Sequence, residues 1–132
     1  IIFTGHSLGG ATATLASLFF AIKFPQLDIS CVSFGSPRAG DLKFKEMFKN
    51  NVKNSYRFIN NTDVVPCVPS SYRFSHVDGC KWINQHKIYE KLSVRNTVRN
   101  FFLGFFGYKN SPLDDHSCEE YIKEIECLYF FF

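Results

Sequence analysis

Near the start of the chain, Gly5-His6-Ser7-Leu8-Gly9 sets a serine between two glycines in the pattern Gly-x-Ser-x-Gly. Alone, the pattern recurs by chance. Its context gives it chemical meaning: the apolar run Ile1-Ile2-Phe3-Thr4 leads in, and a segment rich in Ala, Leu and Phe leads out. A serine held in a strained turn between a strand and a helix exposes its hydroxyl as a nucleophile. Such a turn crowds backbones together, so Gly5 and Gly9 are read as positions that must lack side chains. Gly10, Ala11 and Ala13 let the following helix pack closely. The helix N-terminus turns its positive end toward the site, and the backbone N–H of Leu8 is the candidate oxyanion donor for a tetrahedral intermediate. A phosphate-binding loop is excluded, because no Gly-Lys-Ser or Gly-Lys-Thr closes the turn.

A serine hydroxyl needs a histidine to take its proton and an acid to hold that histidine in the right tautomer. After a strand–turn–helix elbow the expected chain order is Ser, acid, His, with each group at the carboxyl end of a strand. Asp28 precedes a strand and so lies at the wrong edge. Asp41 reads as a helix cap and Asp78 as a turn residue. Asp63 directly follows the Tyr56–Asn60 run and is the best acid, although on spacing alone a loop aspartate capping a turn is an equal account. Among four histidines, His6 adjoins Ser7 and its side chain is expected to point away from the site. His76 reads as structural, and His86 has no strand before it. His116, late in the chain at a helix start, is the favoured base; its rival account is an exposed histidine beside the capping groups Asp114 and Asp115. Adjacent side chains diverge, so neither of those aspartates is expected to be the acid.

These groups need elements to position them. Ile1–Thr4 reads as a strand end and Gly9–Phe24 as a buried helix stopped by Pro25. Ile29–Phe34 is a second strand, ended by Gly35-Ser36-Pro37. Asp41 caps a helix whose apolar face is Leu42, Phe44, Met47 and Phe48. Tyr56–Ile59 is a third strand. Tyr72–His76 and Cys80–Ile83 flank Val77-Asp78-Gly79, which predicts a β-hairpin, an antiparallel addition at or beyond a sheet edge. Ser117–Leu128 is a final helix. Val94, Val98, Phe101 and Phe102 have helical spacing that Gly104 and Gly107 break. Strands alternating with helices predict an α/β fold with a mostly parallel sheet flanked by helices.

Composition narrows the classes of function. Of 132 residues, 45% are hydrophobic, including 16 Phe, so a packed core is expected rather than disorder. A formal charge of +3 is too mild and scattered to predict a nucleic-acid partner. Cys31, Cys67, Cys80, Cys118 and Cys127 are odd in number and lack a Cys-x-x-Cys, so they signal neither a disulfide framework nor a zinc site. No apolar run reaches the roughly 20 residues of a transmembrane segment. Phe101–Phe106 with Lys109 is a candidate lipid-interface contact, though core packing is the commoner use of such phenylalanines. The chain opens inside a strand pattern without Met, so the natural start is expected upstream.

Several segments together resemble one family. Ile2-Phe3-Thr4-Gly5-His6-Ser7-Leu8-Gly9-Gly10-Ala11 is similar to the nucleophile segment of the class 3, or fungal-type, triacylglycerol lipases. Phe34-Gly35-Ser36-Pro37-Arg38-Ala39-Gly40-Asp41 and Asn60-Asn61-Thr62-Asp63-Val64-Val65-Pro66 resemble the family's next segments, the latter its catalytic acid. His76-Val77-Asp78-Gly79 with Trp82-Ile83 resembles its hairpin, and Asp115-His116-Ser117 with Tyr121 its catalytic histidine. The resemblance implies a partial α/β-hydrolase fold, with residues 1–132 as the C-terminal portion of a single domain. The family's preceding strands, lid helix and second oxyanion loop are not among these residues. It further implies a Ser7, Asp63 and His116 triad, a lipid ester substrate such as an acylglycerol, and chemistry that needs no metal or organic cofactor. A lipase-like scaffold without catalysis is the alternative, because a fold does not fix a function. Acyl-chain preference and localisation are left open by this sequence.

Overall fold

The computed structural model describes residues 1–84, 86–90 and 113–129. A five-stranded sheet runs in the order β1 (Ile2–His6), β2 (Ser30–Phe34), β3 (Asn54–Asn60), β4 (Cys80–Asn84) and β5 (Lys87–Tyr89). The first three pairings are parallel, with Gly5 beside Ser33, Ser33 beside Arg57 and Arg57 beside Cys80; β5 pairs antiparallel to β4. Parallel neighbours need crossovers. Helix α1 (Leu8–Lys23) joins β1 to β2, and α2 (Leu42–Asn51) joins β2 to β3. Helix α3 (Cys118–Tyr129) closes the described chain.

Small residues set how closely α1 lies on the sheet. Its buried positions are Gly10, Ala11, Ala13, Thr14, Ser17, Leu18 and Ala21. The Thr14 and Ser17 hydroxyls donate to the backbone oxygens of Gly10 and Thr14, so their burial leaves no donor unpaired. The opposite face exposes Leu15, Phe19 and Ile22. Asp41 caps α2 as expected, accepting from the Phe44 N–H at 2.8 Å. Between these helices and the sheet lies a core of Leu18, Ala21, Ile29, Cys31, Phe48, Val52 and Val77.

The hairpin is not where its turn signal suggested. Tyr72–His76 is not a strand; its one sheet-like contact is an isolated bridge between Ser75 and Gly40. Val77-Asp78-Gly79 does not reverse the chain but feeds β4, which lies parallel to β3. Gly79 adopts φ +87, and a Cβ there would stand 1.9 Å from the Ser55 carbonyl oxygen. The Asp-Gly pair thus serves close approach to β3 rather than a turn, while Val77 is drawn into the core. The hairpin that exists joins β4 to β5, and His86 with φ 56 lies in its connection. The helical spacing over 94–102 and the Phe101–Phe106 patch with Lys109 lie outside the described residues.

Candidate active site

Ser7 stands between β1 and α1 with φ 56 and ψ −128. A side-chain-bearing residue in that region costs ~1–3 kcal/mol and persists only when its surroundings hold it. Here its N–H donates to the Phe34 carbonyl at 2.9 Å, and its own carbonyl accepts from Gly10 and Ala11. Two glycines make the turn sterically feasible. A Cβ on Gly5 would lie 2.3 Å from the Gly9 oxygen, and one on Gly10 would lie 2.8 Å from the Ser36 Cβ. Gly9 does not share this constraint: a Cβ there meets nothing within 4 Å among the described residues. Crowding comes from the Gly9 backbone pressing on Gly5, so only one of the two pattern glycines is required by contact. The Leu8 N–H lies in the first turn of α1, where no intrahelical acceptor exists.

The structure brings Ser7, Asp63 and His116 together. His116 Nε2 is 2.9 Å from Ser7 Oγ, and His116 Nδ1 is 3.0 Å from both Asp63 carboxylate oxygens. The Asp63 side chain is fully buried and that of His116 is 17% exposed. Asp63 Oδ1 also accepts from the Val65 N–H at 2.9 Å, and Oδ2 from the Tyr121 hydroxyl at 2.7 Å. An ionised carboxylate only accepts, so His116 Nδ1 carries hydrogen and Nε2 presents a lone pair to the serine hydroxyl. The tautomer required of a general base follows from this arrangement.

Three residues support this arrangement in ways their local sequence does not announce. Tyr121, on α3, is 3% exposed; besides donating to Asp63, its oxygen accepts from the Asn60 N–H. Burial, then the Asp63 charge, push its ionisation well above the ordinary tyrosine range, so it stays a donor. Asp115 is not the acid but a clamp. Its carboxylate accepts from the Thr62 N–H, the Thr62 hydroxyl and Asn61 Nδ2, tying the loop of His116 to the loop of Asp63. Gly35 has φ +57, and a Cβ there would stand 2.7 Å from Asp63 Oδ2 and 3.0 Å from His116 Nδ1. It had been read only as a strand stop.

His6 corrects an expectation. It does not point away: Nε2 lies 2.7 Å from the His116 backbone oxygen, and the two rings are 4.7 Å apart. A carbonyl accepts only, so His6 donates from Nε2. The alternation that should separate neighbouring side chains fails because Ser7 leaves the extended conformation. His86 is remote, its Nδ1 3.1 Å from Glu124 Oε2 on α3. His76 donates from Nε2 to the Pro66 carbonyl. Burial and the Arg57 charge depress its pKa to about 3, so it is neutral near pH 7. Among the described residues no His, Cys, Asp and Glu group is arranged to hold a metal ion, and no helix is long and apolar enough to cross a membrane.

A serine in a tight strand–turn–helix connection at the carboxyl edge of a mostly parallel, helix-flanked sheet, together with the lipases it superposes on, defines this as a chain of the α/β-hydrolase fold. It belongs to the class 3 lipase family, whose model, Lipase (class 3), matches residues 1–73. It is 33% identical over 87 residues to the secreted mono- and diacylglycerol lipase 3 of Gibberella zeae, covering 64% of this chain and 27% of that protein. Lipase II from Rhizopus niveus superposes with a TM-score of 0.57 at 37% identity, over 62% of this chain and 32% of that one. A triacylglycerol lipase whose title assigns its catalytic centre to a serine protease triad superposes with a TM-score of 0.59 at 32% identity, over 64% and 34%. The chain therefore spans about a quarter to a third of the length of these proteins.

Proposed function

We propose that this chain carries the catalytic triad of a serine carboxylic-ester hydrolase acting on acylglycerols. Ser7 Oγ attacks the ester carbonyl while His116 Nε2 takes its proton. The Leu8 N–H stabilises the oxyanion. His116 returns the proton to the departing alcohol, and Asp63 stabilises the imidazolium that forms between the two transfers. Water, activated by the same histidine, then attacks the acyl-enzyme, releasing the fatty acid and restoring Ser7. The observation that carries this reading is the single imidazole within hydrogen-bond reach of both Ser7 Oγ and the Asp63 carboxylate. The acylglycerol substrate is carried over from the names of the Gibberella lipase and the triacylglycerol lipase.

Residues 1–132 act, on this reading, as the C-terminal portion of one domain. Supporting this, β1 is a sheet edge whose Ile2 is 68% exposed, and α1 turns Leu15, Phe19 and Ile22 outward. The test is turnover of p-nitrophenyl butyrate and labelling by a fluorophosphonate, in the protein carrying this chain and in its Ser7→Ala variant. Turnover and labelling that fall by roughly a thousandfold or more in the variant are expected. A folded parent protein that neither turns over esters nor takes up the probe would leave a lipase-like scaffold without catalysis.

A further inference from the structure

A cavity of about 150 Å³ is walled by Arg38, Arg57, Cys67, His76, Cys80 and Asp63, and Ser7 is not among the residues that line it. Arg57, on β3, is 8% exposed. Its Nε donates to the Val77 carbonyl at 2.9 Å, the Cys80 sulfur is a further hydrogen-bond partner, and among the described residues no carboxylate is ion-paired with it. Arg38 is satisfied differently, its Nη1 donating to the carbonyls of Cys67 and Pro69. A guanidinium this buried is ordinarily matched by a carboxylate. Among the described residues Asp63 is the one carboxylate in the wall, and His116, Tyr121 and the Val65 N–H already hold it. Asp78, whose charge also reaches Arg57, is paired with Lys45 at 2.7 Å.

The charge count follows. Two guanidiniums face one carboxylate, and His76 stays neutral near pH 7 because burial and the two arginines suppress its protonation. Among the described lining residues one positive charge is left over, which a single monoanion would cancel. Shape narrows the ligand further. A carboxylate matches the planar fork of a guanidinium, and Ile59 and Pro66 add an apolar wall.

We propose that this cavity binds a small monocarboxylate, its head against the Arg57 guanidinium and its short alkyl end against Ile59 and Pro66. The site does not depend on the ester-hydrolase reading, since it rests on charge and shape alone. The test uses the protein carrying this chain and reads Cys80, which lines the cavity and pairs with Arg57 across the sheet. Alkylation by anionic iodoacetate and neutral iodoacetamide is followed by mass spectrometry at Cys80 and at exposed Cys118.

The iodoacetate-to-iodoacetamide rate ratio is expected to be about tenfold higher at Cys80 than at Cys118, a factor equal to ~1.4 kcal/mol. Millimolar butyrate is expected to protect Cys80 and to raise the unfolding temperature, and equal chloride to do neither. In Cys80→Glu a tethered carboxylate meets Arg57, so the butyrate effect on unfolding temperature disappears. Equal ratios at the two cysteines without butyrate protection overturn the proposal, and this comparison needs no variant to fold. Chloride protecting as well as butyrate overturns the carboxylate assignment, and an undiminished butyrate effect in folded Cys80→Glu overturns the placement on Arg57.

Discussion

Three donors converge on Asp63, and each restricts the carboxylate to one orientation toward His116. Removing the Tyr121 hydroxyl leaves the fold's apolar contacts in place but frees one carboxylate oxygen. Tyr121→Phe is expected to lower kcat about tenfold with little change in KM, in line with ~1.5–3 kcal/mol for a hydrogen bond to a charged group. Steady-state kinetics on a soluble ester reads this split; an unchanged kcat would assign Tyr121 to packing alone. His76 makes a second prediction at this scale. Its folded pKa of about 3 lies below its ordinary value of 6.5. The unfolded chain therefore takes up a proton first as pH falls, and stability is lost between about pH 6.5 and pH 3, at about 1.4 kcal/mol per pH unit. His76→Gln should flatten that loss in urea titrations at pH 7.5 and 4.5; parallel losses in both proteins would contradict it.

The elements differ in how plainly local sequence announces them. Runs such as Ile2–Thr4 and the Ala- and Leu-rich stretch after Gly9 carry their own periodicity and stops, so β1, α1, β2, α2, β3 and α3 are all legible. The direction of β4 is not, because pairing with β3 depends on residues some twenty positions away, such as Ser55 beneath Gly79. An Asp-Gly dipeptide serves a turn or a close approach equally well, and only the tertiary partner decides. Gly79→Ala tests this. It is expected to destabilise the fold by more than the ~1 kcal/mol of a strained turn position, read as a lowered urea midpoint, because the new methyl meets backbone. Similar reasoning explains the site. Order along the chain nominates Ser7, Asp63 and His116, with a turn-capping aspartate an equal account of Asp63, whereas the contacts of Tyr121, Asp115 and His6 reach across 53 to 110 positions and leave no local pattern.

At the scale of the whole molecule, the sheet has an edge at β1 and α1 has an outward apolar face of Leu15, Phe19 and Ile22. Exposed parallel edges and apolar patches favour association with other chains. Residues 1–132 expressed alone are expected to bind a hydrophobic dye strongly and to elute as oligomers. A dye-silent monomer would argue against the reading of these residues as a portion of one domain. The proposed carboxylate cavity also belongs to this scale, since β3, β4 and the loops around Pro37 and Pro66 must all be in place to form it.

The spacing of the candidate triad has a consequence for biosynthesis. His116 follows Ser7 by 109 positions, and Asp63 lies between them. At ribosomal rates of roughly 5–20 residues per second, several seconds separate the emergence of the nucleophile from that of its base. Throughout that interval Ser7 lacks, on the proposed reading, the histidine that would take its proton. On the proposed reading, the nascent protein is chemically silent toward nearby lipids until α3 is translated and docks. Timing, as well as geometry, then decides when hydrolysis begins.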